Sequence, residues 1–265
     1  SDYFPSLKQQ HEEVKIHHLL THTSGFQEGI KFYKKQIAYT EVVEYIAQLT
    51  HRNAINKKVI YSDINYILLG ILIEKVANAS LADYAEKNIF QPLGMQHTQF
   101  NPPAELQGKI AATEYRDYLK QHQWGEVHDE NAHHFGGVSG HAGLFSTAED
   151  LVKFAQAFMK NGHSIFQEQT KHLAKQSFTK QHEDQRGLGW QLYSQPSFSG
   201  QYLRDGFGHT GFTGTAVWVD PEEKLVYVFL SNRVYPTRNN PLLSRLKVRG
   251  NIQDAIYKAI KQKAF

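Results

Sequence analysis

The sequence Gly208-His209-Thr210-Gly211-Phe212-Thr213-Gly214-Thr215 decides the fold, because it opens a β-hairpin. It runs into residues 216–220 (Ala-Val-Trp-Val-Asp), a β-branched and aromatic run that is typical of a strand. A turn at residues 221–223 and a second apolar run at residues 225–230 complete the hairpin. Glycine weakens the interior of a strand, so three glycines within seven residues indicate that another backbone or a ligand comes close. We therefore predict that this strand is one wall of an active site.

The composition is that of an ordinary globular enzyme: of the 265 residues, 40% are hydrophobic, 12% aromatic and 21% charged. The formal net charge is +3 and the basic residues are scattered, which argues against a nucleic-acid partner. The absence of cysteine excludes disulfides, thiolate catalysis and zinc–thiolate sites. The apolar run at residues 66–73 is far shorter than the roughly 20 residues of a membrane-spanning helix. We predict no cofactor and no bound metal.

The triplet Tyr61-Ser62-Asp63 precedes residues 64–76, which are apolar on nearly every side. Such a run predicts a buried helix, with Ser62 or Asp63 as its N-cap. Tyr61 would then lie just outside a helix N-terminus, where the macrodipole favours an anion, so its phenol could serve as a base. On local grounds alone we favour the plainer interpretation, an N-cap next to an incidental aromatic residue.

The remaining pattern predicts mostly helices before residue 186 and a sheet with a closing helix after it. Three further segments have helical periodicity or caps: residues 31–53, 80–90 and 251–261. A capping box at Ser146 or Thr147 begins another helix. We therefore predict a single α/β (α+β) domain over residues 1–265. Its all-helical part would cover about residues 16–185, and its sheet and C-terminal helix about residues 186–265.

Residues 125–145 have the most unusual composition of the chain, with four histidines and five glycines. Histidine and aspartate are good metal ligands, so a metal-dependent hydrolase built on His128, Asp129 and His141 is one hypothesis. The spacing of these residues matches no helical pair of ligands. We favour a glycine-rich loop that lines the pocket, in which the three side chains form internal hydrogen bonds.

Three motifs stand in order along the chain: Leu19-Leu20-Thr21-His22-Thr23-Ser24-Gly25, Tyr61-Ser62-Asp63 and His209-Thr210-Gly211. In this order they resemble the class C-like branch of the serine β-lactamase and penicillin-binding-protein superfamily, over nearly the whole chain. The resemblance implies a β-lactamase/transpeptidase-like fold, with an antiparallel sheet flanked by helices. It also implies hydrolysis of an amide or ester through a serine acyl-enzyme.

The resemblance assigns roles to residues of this chain. Tyr61 would be the base and proton shuttle, and His209 would orient Tyr61 or the substrate. The backbone N–H of Phe212 would be one of two oxyanion donors. Asp63 stands where an asparagine is usual; a carboxylate cannot donate to a substrate carbonyl, so Asp63 could instead pair with a nearby lysine. His209 replaces a lysine, which would leave a weaker, pH-dependent cation for a substrate carboxylate. The predicted substrate contacts are Gly211, Phe212 and Arg233.

The nucleophile of the family lies in a Ser-x-x-Lys motif upstream of these motifs, and residues 1–15 contain none. Two such strings, Ser177-Phe178-Thr179-Lys180 and Ser244-Arg245-Leu246-Lys247, stand in the wrong order, and we interpret both as chance occurrences. Ser24 could be read as a nucleophile, but a capped turn is the plainer interpretation. We therefore expect that the chain begins after the nucleophile helix and the N-terminal helix and strands, and that it alone has negligible turnover. Such truncation would leave apolar faces of the sheet and of the 64–76 helix uncovered, for the missing segment or a partner chain.

Residues 128–131, 140–143 and Asn232-Arg233 also resemble the branch that acts on bacterial cell-wall muropeptides. This implies an extracytoplasmic enzyme with a small-molecule or peptidoglycan-derived substrate. An ester, a β-lactam, a D-amino-acid peptide and a muramyl amide all fit a shallow cleft of this kind. A non-enzymatic alternative is a homologue that binds wall peptide, or one half of a split protein.

Overall fold

A computed structural model describes residues 2–50, 53–117, 119–159, 164–193 and 199–262. Most of the secondary structure before residue 186 is helical. The helices there are α1 (Lys8–His11), α2 (Ile16–Leu20), α3 (Phe32–Lys35), α4 (Val42–Ala47), α5 (Asp63–Ala77), α6 (Leu81–Ala85), α7 (Gln91–Leu93), α8 (Glu130–His134), α9 (Ala148–Ala157) and α10 (Glu168–Lys175). A π-helical segment, Glu86–Phe90, joins α6 to α7.

Helix α5 is the centre of the helical part. Its side chains Ile64, Ile67 and Leu68 are at most 1% exposed and pack with the cluster that includes α2 and α4. Burial of one such aliphatic side chain contributes about 1.5–3 kcal/mol, so burial rather than helix propensity holds α5 in place. The bounds of α5 confirm the predicted helix at residues 64–76. Ser62 is at the N-cap position, but its hydroxyl donates to the Gln27 carbonyl oxygen at 2.5 Å instead of capping the helix.

The predicted single helix at residues 31–53 is wrong; its residues 51–52 lie outside the described part of the chain. Helix α3 ends at Gln36, whose φ of 56° is left-handed and stops the helix. The chain restarts in a 3₁₀ turn at Tyr39–Glu41, which leads into α4. The apolar periodicity continues after the break at Gln36, because Val42, Val43 and Ile46 still face the core.

Four antiparallel strands form the main sheet, in the order β5 (Gln191–Leu192), β6 (Phe207–Thr210), β7 (Ala216–Asp220) and β8 (Leu225–Phe229). Strands β7 and β8 confirm the predicted hairpin, with Trp218 opposite Tyr227. The turn between them is held by Asp220, whose carboxylate accepts the N–H groups of Glu222 and Glu223, each at 3.1 Å. Helices α11 (Leu242–Arg245) and α12 (Val248–Gln262) follow, and α12 confirms the predicted closing helix.

Both faces of this sheet are packed within the described part of the chain. Phe207 and Val219 face a cluster with side chains of α9 and α10, whereas Trp218 and Tyr227 face Tyr257 of α12. The expectation of uncovered sheet faces is therefore wrong. Helix α5 is also covered along most of its length, and its C-terminal part is open, where Ile73 is 36% and Val76 64% exposed.

Two pairs of short strands lie within the part of the chain predicted to be all-helical, which corrects that prediction. The pairs are β1 (Gln99–Phe100) with β4 (Leu144–Phe145), and β2 (Tyr115–Arg116) with β3 (Gln121–His122). Each strand has only two residues, too few for an alternating apolar pattern to show in the sequence.

Gly140 brings the glycine-rich loop against helix α5. A Cβ atom on Gly140 would lie 2.0 Å from the Tyr66 carbonyl oxygen and 2.9 Å from the Gly70 nitrogen. Both neighbours are helix backbone and cannot move aside locally. Glycine at this position therefore determines where the loop meets α5.

A Gly140→Ala variant is expected to lower the free energy of unfolding by about 1–3 kcal/mol, the usual cost of overpacking. Urea denaturation monitored by circular dichroism measures this change. Gly108→Ala is the matched control, because no atom lies within 4 Å of a Cβ built there. Equal stability of the two variants would contradict the close contact between the loop and α5.

Within the described ranges, no single helix is long and apolar enough to cross a membrane. The segments 63–77 and 81–93 pass that test only as a pair bent by 77°.

Candidate active site

Tyr61 lies between two histidines from distant parts of the sequence. Its ring centroid is 4.5 Å from that of His22 and 5.8 Å from that of His209 on β6. The side chain of Tyr61 is 52% exposed, so it lines an open cleft rather than the core. The structure thus brings together the two motifs that were predicted to flank the nucleophile.

His22 fixes the segment that carries Tyr61. Its Nδ1 accepts the Ser62 backbone N–H at 3.1 Å and lies 3.3 Å from the Asn65 amide nitrogen. Burial, with the charges of Arg186 and His209, lowers the pKa of His22 to about 3, so this ring is neutral. His22 is 2% exposed, and its backbone φ of 59° lies in the left-handed region. Its side chain therefore holds this segment in place from inside the protein. Sequence reasoning did not include His22 in the site, although the Leu-Leu-Thr-His-Thr-Ser-Gly motif contains it.

Ser24 is not a nucleophile in this fold. Its hydroxyl donates to the Asn65 side-chain oxygen at 2.6 Å, and the residue is 1% exposed. The Phe26 backbone N–H donates to the same hydroxyl at 3.3 Å. The prediction of a capped, self-satisfied turn is confirmed.

Arg186 determines the state of His209. One terminal nitrogen of the guanidinium lies 3.1 Å from His209 Nε2, and the other donates to the Asp184 carboxylate at 2.8 Å. Because arginine only donates, Nε2 of His209 must be the acceptor. The proton of the ring is then on Nδ1, which donates to the Thr210 carbonyl oxygen at 2.8 Å. His209 is therefore a neutral Nδ1–H tautomer.

The electrostatics of His209 agree with this assignment. Burial and the charge of Arg186 lower the pKa of His209 to about 4. The expectation of a pH-dependent cation at His209 is corrected: the cation beside Tyr61 is Arg186, whose guanidinium carbon lies 5.8 Å from the Tyr61 ring centroid. Arg186 is missing from the sequence-based site because its contact with His209 is tertiary and no motif marks it.

The short length of β5 leaves part of β6 without a neighbour. Gln191 pairs with Gly208 and Leu192 with Phe207, so β5 stops before His209 and Thr210. An isolated bridge between Arg186 and Gln191 turns the chain back at this point. The His209–Thr210 end of β6 is therefore an edge on the β5 side, with Arg186 beside it.

Glycine is required at position 208 for a different reason from the predicted one. A Cβ atom there would lie 2.5 Å from the Trp218 ring, so the space belongs to the core and not to a ligand. At the end of the strand, Gly211 opens a turn in which its carbonyl oxygen accepts the Gly214 N–H at 3.0 Å. The Phe212 N–H has no acceptor among the residues that the structure describes, as its predicted role as an oxyanion donor requires.

The environment of Tyr61 favours the protonated phenol. Burial and the charge of Asp63 raise the pKa of Tyr61, and the charge of Arg186 opposes this only in part. The stabilisation of the phenolate that was expected from the helix N-terminus is thus outweighed. Tyr61 needs a further positive charge if it is to accept a proton.

Asp63 faces a histidine–carboxylate pair on the glycine-rich loop. His141 Nε2 lies 2.9 Å from the Asp129 carboxylate, and His141 Nδ1 lies 2.9 Å from the Ser139 hydroxyl. Ser139 is 3% exposed, so this Ser–His–Asp chain is internal and its serine cannot reach a substrate. Burial and the nearby Asp129 raise the pKa of Asp63, whereas His141 opposes that shift.

The metal hypothesis requires a different set of ligands from the predicted one. Ligand atoms of Asp63, Asp129 and His141 lie within 4.8 Å of one another, so these three residues could hold a cation. His128 lies elsewhere, with its Nε2 3.2 Å from the Glu114 carboxylate. The predicted internal hydrogen bonds of His128, Asp129 and His141 are confirmed, and a site built on those three residues together is not formed.

Comparison with known proteins places this geometry in a family. The family model described as "Beta-lactamase" matches residues 1–250. The chain belongs to the beta-lactamase family. Its fold is the β-lactamase fold, a mixed α/β structure in which helices flank an antiparallel sheet.

Relatives with curated descriptions are longer than this chain. A "Putative D-alanyl-D-alanine carboxypeptidase" of Escherichia coli (strain K12) is 33% identical over 291 residues, covering 94% of this chain and 66% of the relative. A protein of the same description from Salmonella paratyphi A is 31% identical over 294 residues, covering 97% and 68%. The chain thus spans about two thirds of the length of these relatives.

Solved structures of the beta-lactamase family show the same fold. A class C beta-lactamase from Rhodobacter sphaeroides aligns with a TM-score of 0.71 at 19% identity, covering 97% of this chain and 76% of that one. A beta-lactamase/D-alanine carboxypeptidase from Pseudomonas syringae aligns with a TM-score of 0.70 at 19% identity, covering 93% and 73%.

The two Ser-x-x-Lys strings of this beta-lactamase-family chain have other roles in the structure. The Ser177 hydroxyl donates to the Gln185 side chain, and its oxygen accepts the Thr179 N–H at 3.4 Å. Ser244 lies on the short helix α11, and no hydrogen bond joins either serine to Tyr61 or His209 among the residues described.

Proposed function

We propose that this chain carries most of the active site of a serine carboxypeptidase that removes a C-terminal residue from a D-amino-acid peptide. The observation that supports this best is the Arg186–His209 pair at the open end of β6. The Arg186 guanidinium next to Tyr61 is buried and is shared between the Asp184 carboxylate and His209, and its permanent charge would act on a substrate whose leaving group carries a carboxylate through the field rather than through a direct bond. The relatives described as D-alanyl-D-alanine carboxypeptidases support the same substrate class.

The proposed reaction starts with a serine hydroxyl from a Ser-x-x-Lys segment outside these 265 residues. Tyr61 accepts the hydroxyl proton as the oxygen attacks the scissile carbonyl. The carbonyl oxygen becomes an oxyanion that the Phe212 N–H stabilises together with the N–H of the nucleophile. The C–N bond then breaks, and Tyr61 returns the proton to the leaving amine. Water then attacks the carbonyl of the acyl-enzyme, and Tyr61 accepts a proton from the water. Tyr61 returns this proton to the serine oxygen as the bond between serine and the acyl group breaks.

Because the pKa of Tyr61 is raised, the reaction needs a second positive charge, and the lysine of the Ser-x-x-Lys segment could supply it. A phenol flanked by the carboxylate of Asp63 is a poor proton acceptor until a second cation balances this charge. The Asp63 carboxylate makes no hydrogen bond to another described side chain, so it is available to bind an ammonium group. We propose that the lysine lies between Tyr61 and Asp63, which explains why a carboxylate replaces the usual asparagine.

We also propose an extracytoplasmic location, since the substrate would be a component of the bacterial cell wall. This proposal rests on the resemblance to muropeptide-acting enzymes and on the descriptions of the relatives.

The test is hydrolysis of an N-acyl-D-alanyl-D-alanine dipeptide by the product of the whole gene. Release of free D-alanine, with no release from the L,L isomer, is the expected result. Release of alanine from neither isomer, together with tight binding of the D,D peptide, would favour a wall-peptide-binding homologue instead.

A further inference from the structure

The turn that carries Phe212 is held through the carbonyl oxygens of residues 211–215, whereas the N–H groups of Phe212 and Thr213 have no acceptor among the described residues. The Gly211 N–H donates to the Thr215 carbonyl oxygen at 2.8 Å, and the Gly214 N–H donates to the Gly211 carbonyl oxygen at 3.0 Å. The second of these bonds fixes the plane of the Gly211–Phe212 peptide, since its oxygen is engaged inside the turn. The N–H of the same peptide, which belongs to Phe212, must therefore point away from the turn.

Arg233 supplies further restraints on this turn, beside the Ser231 hydroxyl, which donates to the Gly214 carbonyl oxygen at 2.9 Å. Its backbone N–H donates to the Thr213 carbonyl oxygen and its side-chain Nε to the Phe212 carbonyl oxygen, both at 2.8 Å. One terminal nitrogen donates to the carbonyl oxygens of Arg238 at 3.0 Å and Asn240 at 3.4 Å. One side chain thus ties the turn to residues 238–240.

The ring of Phe212, like its backbone, is held in place by neighbouring side chains. The Arg233 guanidinium carbon lies 4.6 Å from the ring centroid, a cation–π distance. The His128 ring stacks on Phe212 with centroids 5.7 Å apart and an interplanar angle of 20°. His128 in turn is bound to Glu114, which also accepts the Arg238 guanidinium at 2.7 Å. Phe212 therefore packs against a partly buried network of ion pairs.

We propose that Arg233 is a positioning residue that aims the Phe212 N–H at the oxyanion, and that it is not a direct contact of the substrate. This inference rests on the proposed function, because the turn needs its orientation only if an oxyanion forms there. It revises the sequence-based prediction of Arg233 as a substrate contact. Two of its three guanidine nitrogens are already engaged by backbone oxygens, so few donors remain for a ligand.

The experiment compares Arg233→Met and the milder Arg233→Lys with Arg204→Met, which replaces an exposed arginine before β6. Hydrogen exchange by NMR follows the Gly214 amide, with the Val219 amide of β7 as an internal reference. We expect Arg233→Met to speed exchange at Gly214 at least about tenfold and to leave Val219 unchanged, because loops open without global unfolding. Arg233→Lys keeps the charge but not the planar fork, so an intermediate effect is expected.

Kinetics of the whole gene product give the second readout. A misaimed oxyanion donor lowers kcat by up to about 10²–10³-fold, the cost of losing one donor, and leaves KM unchanged for substrates with or without a carboxylate. A rise in KM confined to carboxylate substrates, with unchanged exchange at Gly214, would overturn the proposal and restore a direct contact. If the wild-type protein hydrolyses nothing, the proposed function fails, whereas the exchange result still reports whether Arg233 holds the turn.

Discussion

A Tyr61→Phe variant of the whole gene product is expected to lose about 10²–10⁴-fold in kcat, the usual contribution of a general base. The change removes one oxygen atom from a ring that is half exposed and that lies tilted against the rings of His22 and His209. The fold should therefore be unaffected, and KM should change little. Steady-state hydrolysis of the D,D dipeptide measures the effect.

Tyr84→Phe on α6 is the matched control for this change, because Tyr84 is also an exposed tyrosine, at 38%. The control is expected to keep the wild-type kcat within about twofold, as surface substitutions away from a site usually do. A Tyr61→Phe variant as active as this control would remove Tyr61 from the mechanism.

An Arg186→Met variant is expected to raise KM for a substrate that carries a carboxylate by roughly thirtyfold, or about 2 kcal/mol, the size of a charge–charge term near a protein surface. An uncharged ester with the same acyl group should show no such rise, because Arg186 makes no bond to the acyl side in this proposal. The ratio of the two KM values therefore reports the charge alone. Arg204→Met, at an exposed position, should leave this ratio unchanged.

The pH dependence of Arg186→Met follows from the state of His209. In the wild type, the pKa of about 4 keeps His209 neutral above pH 5, so KM for the carboxylate substrate should be flat between pH 5 and 8. Burial is the main cause of this low pKa and the charge of Arg186 the second, so removing Arg186 raises the pKa of His209 part of the way toward its ordinary value. A larger fraction of His209 is then protonated at pH 5 than at pH 8, so KM of the variant should be lower at pH 5. A flat profile in the variant would contradict the assigned role of Arg186.

Local sequence patterns predicted the elements that depend on local physics. The apolar run of α5 is buried along most of its length, and the N-cap of α9 forms as predicted, since the Thr147 hydroxyl accepts the Asp150 N–H at 3.3 Å. The reciprocal half of the predicted capping box is replaced, because the Asp150 carboxylate accepts the His97 N–H at 2.7 Å. The break at Gln36 could not be predicted, because a left-handed glutamine carries no sequence signal and the apolar period continues through it. Tertiary packing decides such positions.

The candidate site was predictable only as far as its motifs extend. The order of the motifs implied that Tyr61 and His209 share one cleft, and the structure places their rings together. The charge at His209 was predicted wrongly, because it depends on Arg186, a residue 23 positions earlier that no motif marks. His128 was grouped with His141 by proximity in sequence, yet His128 is buried, bonded to Glu114 and stacked on Phe212.

The most direct test of the central claim, that Tyr61, Arg186 and Phe212 surround a serine from outside these 265 residues, is to locate the acylated residue by mass spectrometry. The whole gene product and the 265-residue chain are each treated with a fluorophosphonate and digested for peptide mapping. We predict one label on the whole product, at the serine of a Ser-x-x-Lys motif outside residues 1–265, and no label on the chain alone. A label on a serine within the chain, such as Ser24, Ser139 or Ser177, would contradict the claim, as would the absence of any label on the whole product.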